Sequence, residues 1–209
     1  MMTKIILIRH GQTEWNLSGR YQGQSDIPLS EEGLKQAECL ARNFPLPAVD
    51  AVYASDLQRA AVTAKCIAGR FQCPLYLEPA LREMNFGDWE GLDYAAIAKQ
   101  WPEEVQNFFG HPDKLRVPHG ETFAQLQQRA VAKIRTIGVK ERGKTIAVVA
   151  HGAINRTILA SALHMPLHYL WSLRQDNTAV NILRIEEDYV MLELMNSTAH
   201  LPAAPESLI

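Results

Sequence analysis

Two histidines in this 209-residue chain each close an apolar run and precede a glycine. His10 follows Lys4-Ile5-Ile6-Leu7-Ile8-Arg9, and His151 follows Thr145-Ile146-Ala147-Val148-Val149-Ala150. A neutral imidazole attacks phosphorus when its attacking nitrogen carries no proton. A bond from the other ring nitrogen to a carbonyl in the glycine turn would fix that tautomer. Arg9 ends a strand that reads as buried, and a buried guanidinium requires an anionic partner. A carboxylate would serve, and so would a bound phosphoryl group gripped by the guanidinium fork. If the two strands lie side by side, two imidazoles and a guanidinium meet at one sheet edge. His151 could then donate to a phosphoryl oxygen; the competing readings are a satisfied core histidine or a metal ligand paired with His10. No carboxylate or third histidine has a ligand-like spacing to either, so no metal is expected.

Arg59 falls in the first turn of an expected helix, where a cation opposes the helix dipole by roughly 0.3–1 kcal/mol. An anion bound at that terminus would remove the conflict; a solvated surface arginine is the alternative. The stretch Leu81 to Gly91 contains three carboxylates, Glu83, Asp88 and Glu90, among Phe86 and Trp89. A partly desolvated glutamate can arrive protonated and give its proton to a leaving oxygen. Spacing does not choose among the three, and solvation of a loop is the plain reading for Asp88 and Glu90.

These residues need a frame. Strands are expected at 4–8, 50–54, 75–77, 145–150, 179–185 and 189–195, the first and fourth apolar throughout as in strands covered on both faces. Helices are expected at 30–43 with Ser30 as N-cap, at 56–69 after Ser55, at 121–137 and at 153–163, with two short ones inside 93–109. Strand and helix alternate, so the pattern predicts an α/β fold, a three-layer α/β/α sandwich. The last two strands flank Glu186-Glu187-Asp188, a hairpin turn, so the central sheet is mostly parallel but mixed. Ligands in such sheets bind beyond the carboxyl ends of the strands, where His10 and His151 both fall.

The bulk properties fit a soluble globular protein: 47% apolar residues, 21% charged and a net charge of −2. That charge argues against nucleic acid as a partner. The three cysteines, Cys39, Cys66 and Cys73, form no CxxC or Cys/His cluster, so free thiols in a reducing compartment are expected. No apolar stretch approaches the roughly 20 residues of a membrane span, and a cytoplasmic location is the default.

Four blocks occur in order: RHGQTEWN (residues 9–16), SDLQRAAVTA (55–64), LREMNFGDWEG (81–91) and VVAHG (148–152). Together they resemble the histidine phosphatase superfamily, in its phosphoglycerate-mutase-like branch, over residues 4 to about 200. The resemblance implies a phosphoglycerate mutase-like fold and a metal-independent phosphomonoester hydrolase with no cofactor. It implies that His10 becomes a phosphohistidine, that Arg9, Arg59 and His151 clamp the phosphoryl oxygens, and that Glu83 is the proton donor. Asn16 and Gln22 match phosphate-contacting positions, and the amide of Gly152 adds a donor. Family mutases are longer and carry a tyrosine-glycine version of the segment after Glu83. The sequence FGDWEG here is similar to phosphatase members, including broad-specificity and α-ribazole phosphatases. A cofactor-dependent phosphoglycerate mutase is the first alternative and a non-catalytic binder of phosphorylated ligands the second. The expected partner is a small phosphorylated metabolite such as α-ribazole 5′-phosphate or a sugar or glycerate phosphate, and a homodimer is compatible with the sequence. One domain spanning 1–209 is expected, with a helical, lid-like insertion around 92–119. Its Tyr94, Trp101, Phe108, Phe109 and His111 could face a ring-bearing leaving group, and Arg20, Arg82 and Lys114 a second charge. The segment Asn196-Ser197-Thr198-Ala199-His200-Leu201 recurs in relatives without an evident physical reason.

Overall fold

A computed structural model describes residues 2–186 and 189–202. Strands β1 (Thr3–Arg9), β2 (Ala51–Ala54), β3 (Leu75–Leu77), β4 (Thr145–Ala150), β5 (Val180–Glu186) and β6 (Tyr189–Ser197) form one sheet in the order β3-β2-β4-β1-β5-β6. The first four are mutually parallel and the last two join antiparallel. The expected mixed α/β/α sandwich is therefore what forms. The β5–β6 pairing fits a hairpin, whose turn residues 187 and 188 lie outside the described residues, as do tail residues 203–209.

Helices α1 (Glu14–Leu17), α2 (Glu31–Arg42), α3 (Gln58–Phe71), α4 (Tyr94–Gln100), α5 (Pro102–Gly110), α6 (Phe123–Lys140) and α7 (Gly152–Ala162) connect the strands. Side chains alternate across β1. Ile5 and Leu7 join one core with Leu126, Ala130 and Ile134 of α6, whereas Ile6 and Ile8 join another with Leu40, Ala60, Ala64 and Ile67 of α2 and α3. Each fully buried aliphatic side chain contributes about 1.5–3 kcal/mol, so both faces of the strand are held and its register is fixed.

Ser30 caps α2 as expected, its hydroxyl accepting from the Gly33 amide. Helix α3 begins two residues later than Ser55 predicts. The Ser55 hydroxyl instead accepts from the Leu57 amide, and Asp26, 32 residues upstream, accepts from the Gln58 amide at 2.7 Å. A tertiary cap of this kind leaves no local sequence signal. A 3-10 turn at Leu167–Ser172 had no sequence expectation either.

The parallel register pairs Arg9 with Ala150, so the next residues, His10 and His151, emerge side by side. The turn after His10 lies against the start of α2. A Cβ on Gly11 would stand 2.5 Å from the Gly33 carbonyl oxygen, and one on Gly33 would stand 2.0 Å from that of Gln12. Backbone meets backbone here, and only glycine permits it.

Candidate active site

His10 is buried, and its Nδ1 lies 2.6 Å from the Gly11 carbonyl. A carbonyl only accepts, so Nδ1 carries the proton and Nε2 keeps its lone pair. Burial, then the Arg59 and Arg9 charges, hold the ring's pKa well below the ordinary imidazole value. The ring is a neutral base with one fixed tautomer. Its own carbonyl receives the Thr178 amide at 3.2 Å and the Asn177 side chain at 3.1 Å, which anchors the turn.

His151 packs edge-on against His10, ring centroids 5.0 Å apart. It is fully buried, and neither ring nitrogen has a hydrogen-bond partner among the described residues. Burial, then Arg59, keeps it neutral as well. A buried unpaired imidazole carries a desolvation penalty that a bound anion would offset.

Arg59 has no exposed surface, which excludes the solvated arginine. Its Nη1 and Nη2 donate to the Ser25 and Gly23 carbonyls, each at 2.7 Å, and its Nε has no partner among the described residues. Burial pushes its pKa down to about 10. The conflict with the α3 dipole is met by Asp26, so the anion at that terminus is a carboxylate of the chain itself. Arg9 donates to the Gln175 carbonyl at 2.6 Å, and its Nε is likewise buried without a partner among the described residues. Two guanidinium groups thus sit beside two neutral imidazoles with hydrogen-bonding capacity unused.

The three carboxylates separate cleanly. Glu83 lies at the cavity. Its Oε1 accepts the Met84 and Ile154 amides and its Oε2 the Ala153 amide, at 2.8–3.1 Å. Oε2 therefore keeps the freer lone pair. Glu90 is no solvated loop residue: it accepts the Gln24 and Ser25 amides, the Ser25 hydroxyl and the Phe86 amide. In doing so it shapes the 23–25 loop whose carbonyls hold Arg59. Asp88 pairs with the exposed His119.

A cavity of about 330 Å³ opens over these groups, large enough for a small ligand. Asn16 and Gln22 line it. The Asn16 carbonyl oxygen is engaged by Thr13 and the Gln22 carbonyl oxygen by the Thr13 hydroxyl, so both amide NH2 groups remain to face a ligand. Gly152, also in the wall, begins α7, and its Cβ would lie 3.2 Å from an Arg156 nitrogen. Tyr94, Phe108 and Phe109 reach the wall as expected. Trp101 instead packs against the core beneath, and His111 lies next to His168. Of the basic residues, Arg20 lines the cavity, while Arg82 pairs with Asp56 through two bonds.

Arg156 and Trp171 lie outside the residues that the sequence motifs marked. Arg156 donates to the Leu173 and Gly152 carbonyls, stacks over the Trp171 ring at 5.0 Å and faces the cavity. Burial, then repulsion from Arg9, brings its pKa down to about 10. Helical spacing alone, four residues after Gly152, could have drawn attention to it.

The family model described as the histidine phosphatase superfamily, branch 1, matches residues 5–198. A metal-independent phosphoserine phosphatase of Arabidopsis thaliana is 35% identical over 96% of this chain and 84% of its own length. Among solved structures, YhfR of Bacillus stearothermophilus superposes with a TM-score of 0.90 at 32% identity, covering 95% of this chain and 98% of its own. A mutant of the Entamoeba histolytica phosphoserine phosphatase, in complex with phosphoserine, gives 0.87 at 31%, covering 96% and 100%.

Proposed function

Because this chain belongs to the histidine phosphatase superfamily and is a phosphatase of small phosphorylated metabolites, we propose that it hydrolyses phosphorylated carboxylic acids through a phosphohistidine at His10. The carrying observation is the His10 ring: Nδ1 is tied to the Gly11 carbonyl, and two buried guanidinium groups stand beside it. Nε2 attacks phosphorus, and the bond from phosphorus to the ester oxygen breaks. Glu83 delivers its proton to that oxygen, releasing an alcohol. Water then attacks the phosphohistidine, Glu83 takes back a proton, and inorganic phosphate leaves. Arg9, Arg59, His151, the Asn16 and Gln22 amides and the Gly152 N–H stabilise charge on the phosphoryl oxygens. No step needs a metal or a cofactor.

Arg156 lies in the same cavity wall and supports the choice of a carboxylate-bearing leaving group, with Arg20 as a second cation. Relatives named for phosphoserine agree with this choice. The helical segment 92–119, which gives Tyr94, Phe108 and Phe109 to the wall, is assigned as the lid of one domain. The three free thiols are consistent with a reducing, cytoplasmic setting. No helix of the described residues is long and apolar enough to cross a membrane.

The test is a kinetic panel of phosphoserine, 3-phosphoglycerate, sugar bisphosphates, α-ribazole 5′-phosphate and p-nitrophenyl phosphate, with wild type and Arg156→Ala. The proposal expects inorganic phosphate release and a KM increase in the variant confined to the carboxylate esters. Equal effects on p-nitrophenyl phosphate would contradict the role of Arg156. Conversion of 3-phosphoglycerate to its 2-isomer without phosphate release would indicate the mutase instead.

A further inference from the structure

Outside the catalytic cavity, one side-chain cluster has the composition of a metal site. His111 ends α5, Asp113 follows two residues later, and His168 comes from the 3-10 turn Leu167–Ser172. One ligand atom from each lies within 4.8 Å of the other two. The Asp113 carboxylate is 3.8 Å from His168 Nδ1, and the two imidazole centroids are 5.2 Å apart. Backbone bonds from His111 N–H to the Asn107 carbonyl and from Lys114 N–H to the His111 carbonyl fix the turn that carries two of the three groups. Tetrahedral zinc, with bonds of about 2.0–2.2 Å, needs ligand atoms roughly 3.3 Å apart. The side chains are exposed, so small rotations close the difference.

We propose that His111, Asp113 and His168 bind one zinc-like transition-metal ion that fastens α5 to the turn carrying Trp171. Two imidazoles and one carboxylate suit zinc, nickel or copper; magnesium and calcium prefer an all-oxygen shell. Water completes the coordination. The location gives the ion a structural consequence. Phe108 and Phe109 on α5 and Trp171 on the 3-10 turn form one aromatic wall of the cavity, and the Trp171 indole N–H already donates to the Phe108 carbonyl. A metal bridge adds a second tie between the same two segments. The ion touches none of the groups assigned to phosphoryl transfer, so the site is independent of the hydrolytic mechanism.

The experiment is a zinc chloride titration by calorimetry, with thermal unfolding in parallel, on untagged, chelator-treated wild type, His168→Ala and Asp113→Asn. Wild type should take up one equivalent and unfold at a higher temperature with zinc. His168→Ala should bind at least tenfold more weakly and lose the thermal shift, with Asp113→Asn intermediate. All three should unfold at similar temperatures in chelator, since these side chains are exposed. Equal zinc affinity in wild type and both variants, or no uptake by wild type, would overturn the proposal. In that case the cluster is an Asp113–His168 contact beside the tilted His111 imidazole.

Discussion

Arg59 shows how much of the site rests on single residues. Its guanidinium is fully buried, and Nη1 and Nη2 donate to two carbonyls of one loop. Replacing it by alanine removes a buried charge that is proposed to bind the transferring group. Arg59→Ala should lower kcat/KM by about 3–4 kcal/mol, the scale of a lost preorganised donor, while a drop under tenfold would return it to a structural role. Glu83→Gln separates chemistry from binding. An alkyl phosphate needs a proton on its leaving oxygen, whereas p-nitrophenolate leaves without one. The variant should therefore lose far more kcat on phosphoserine than on p-nitrophenyl phosphate. Equal losses would remove Glu83 from the acid role. The sequence offers three carboxylates within eight residues and no way to choose from spacing. The choice depends on which one reaches the amides at the start of α7, and that is a tertiary fact.

At the scale of elements, the strands carrying His10 and His151 were readable because both are unbroken apolar runs, and their parallel register follows from covered faces. The elements that brace them were not. Asn196, in a left-handed backbone conformation, accepts the Asp176 amide, donates its side-chain NH2 to the Asp176 carboxylate and donates its own backbone N–H to the Asn181 side-chain carbonyl. His200 lies 3.0 Å from the Thr178 hydroxyl. The 175–178 loop in turn holds the Arg9 guanidinium and the His10 carbonyl. This is the physical reason for the segment 196–201, which strand periodicity could not reveal because each of these bracing contacts reaches 15 or more positions along the chain. Asn196→Ala should leave KM for p-nitrophenyl phosphate nearly unchanged and reduce kcat roughly tenfold, as expected for a displacement that spoils alignment. Unaltered kcat would show that the loop holds its shape without it. Arg129 plays a comparable part below Glu83. It forms a two-bond pair with Glu121 and donates to the Ala80, Arg82 and Glu83 carbonyls.

At the scale of the whole molecule, the buried neutral histidines link the site to stability. His10, His151 and His200 all have pKa values below the ordinary 6.5 because folding desolvates them, His200 to about 4. Below pH 6.5 the unfolded chain takes up protons that the folded chain refuses, so stability falls as pH falls. The loss should run from about pH 6.5 down to about pH 4 for His200, and His10 and His151, both held well below 6.5, add to it as pH falls. Urea unfolding at pH 7, 5.5 and 4.5 should show a decreasing midpoint, with a shallower decline in His200→Gln; a constant midpoint would contradict neutral burial. The same depression keeps His10, the proposed nucleophile, unprotonated in mild acid, so the acidic limb of kcat/KM should lie below pH 6.5. Two layers of helices, two apolar cores and a mixed sheet thus serve to hold one uncharged ring against two charges. The most direct measurement is to mix the enzyme with 32P-labelled phosphoserine, quench it and locate the label by peptide mapping. Acid-labile, base-stable label on His10, absent from His10→Ala, is the expected result. Label on any other side chain, or turnover by His10→Ala at the wild-type rate, would contradict it.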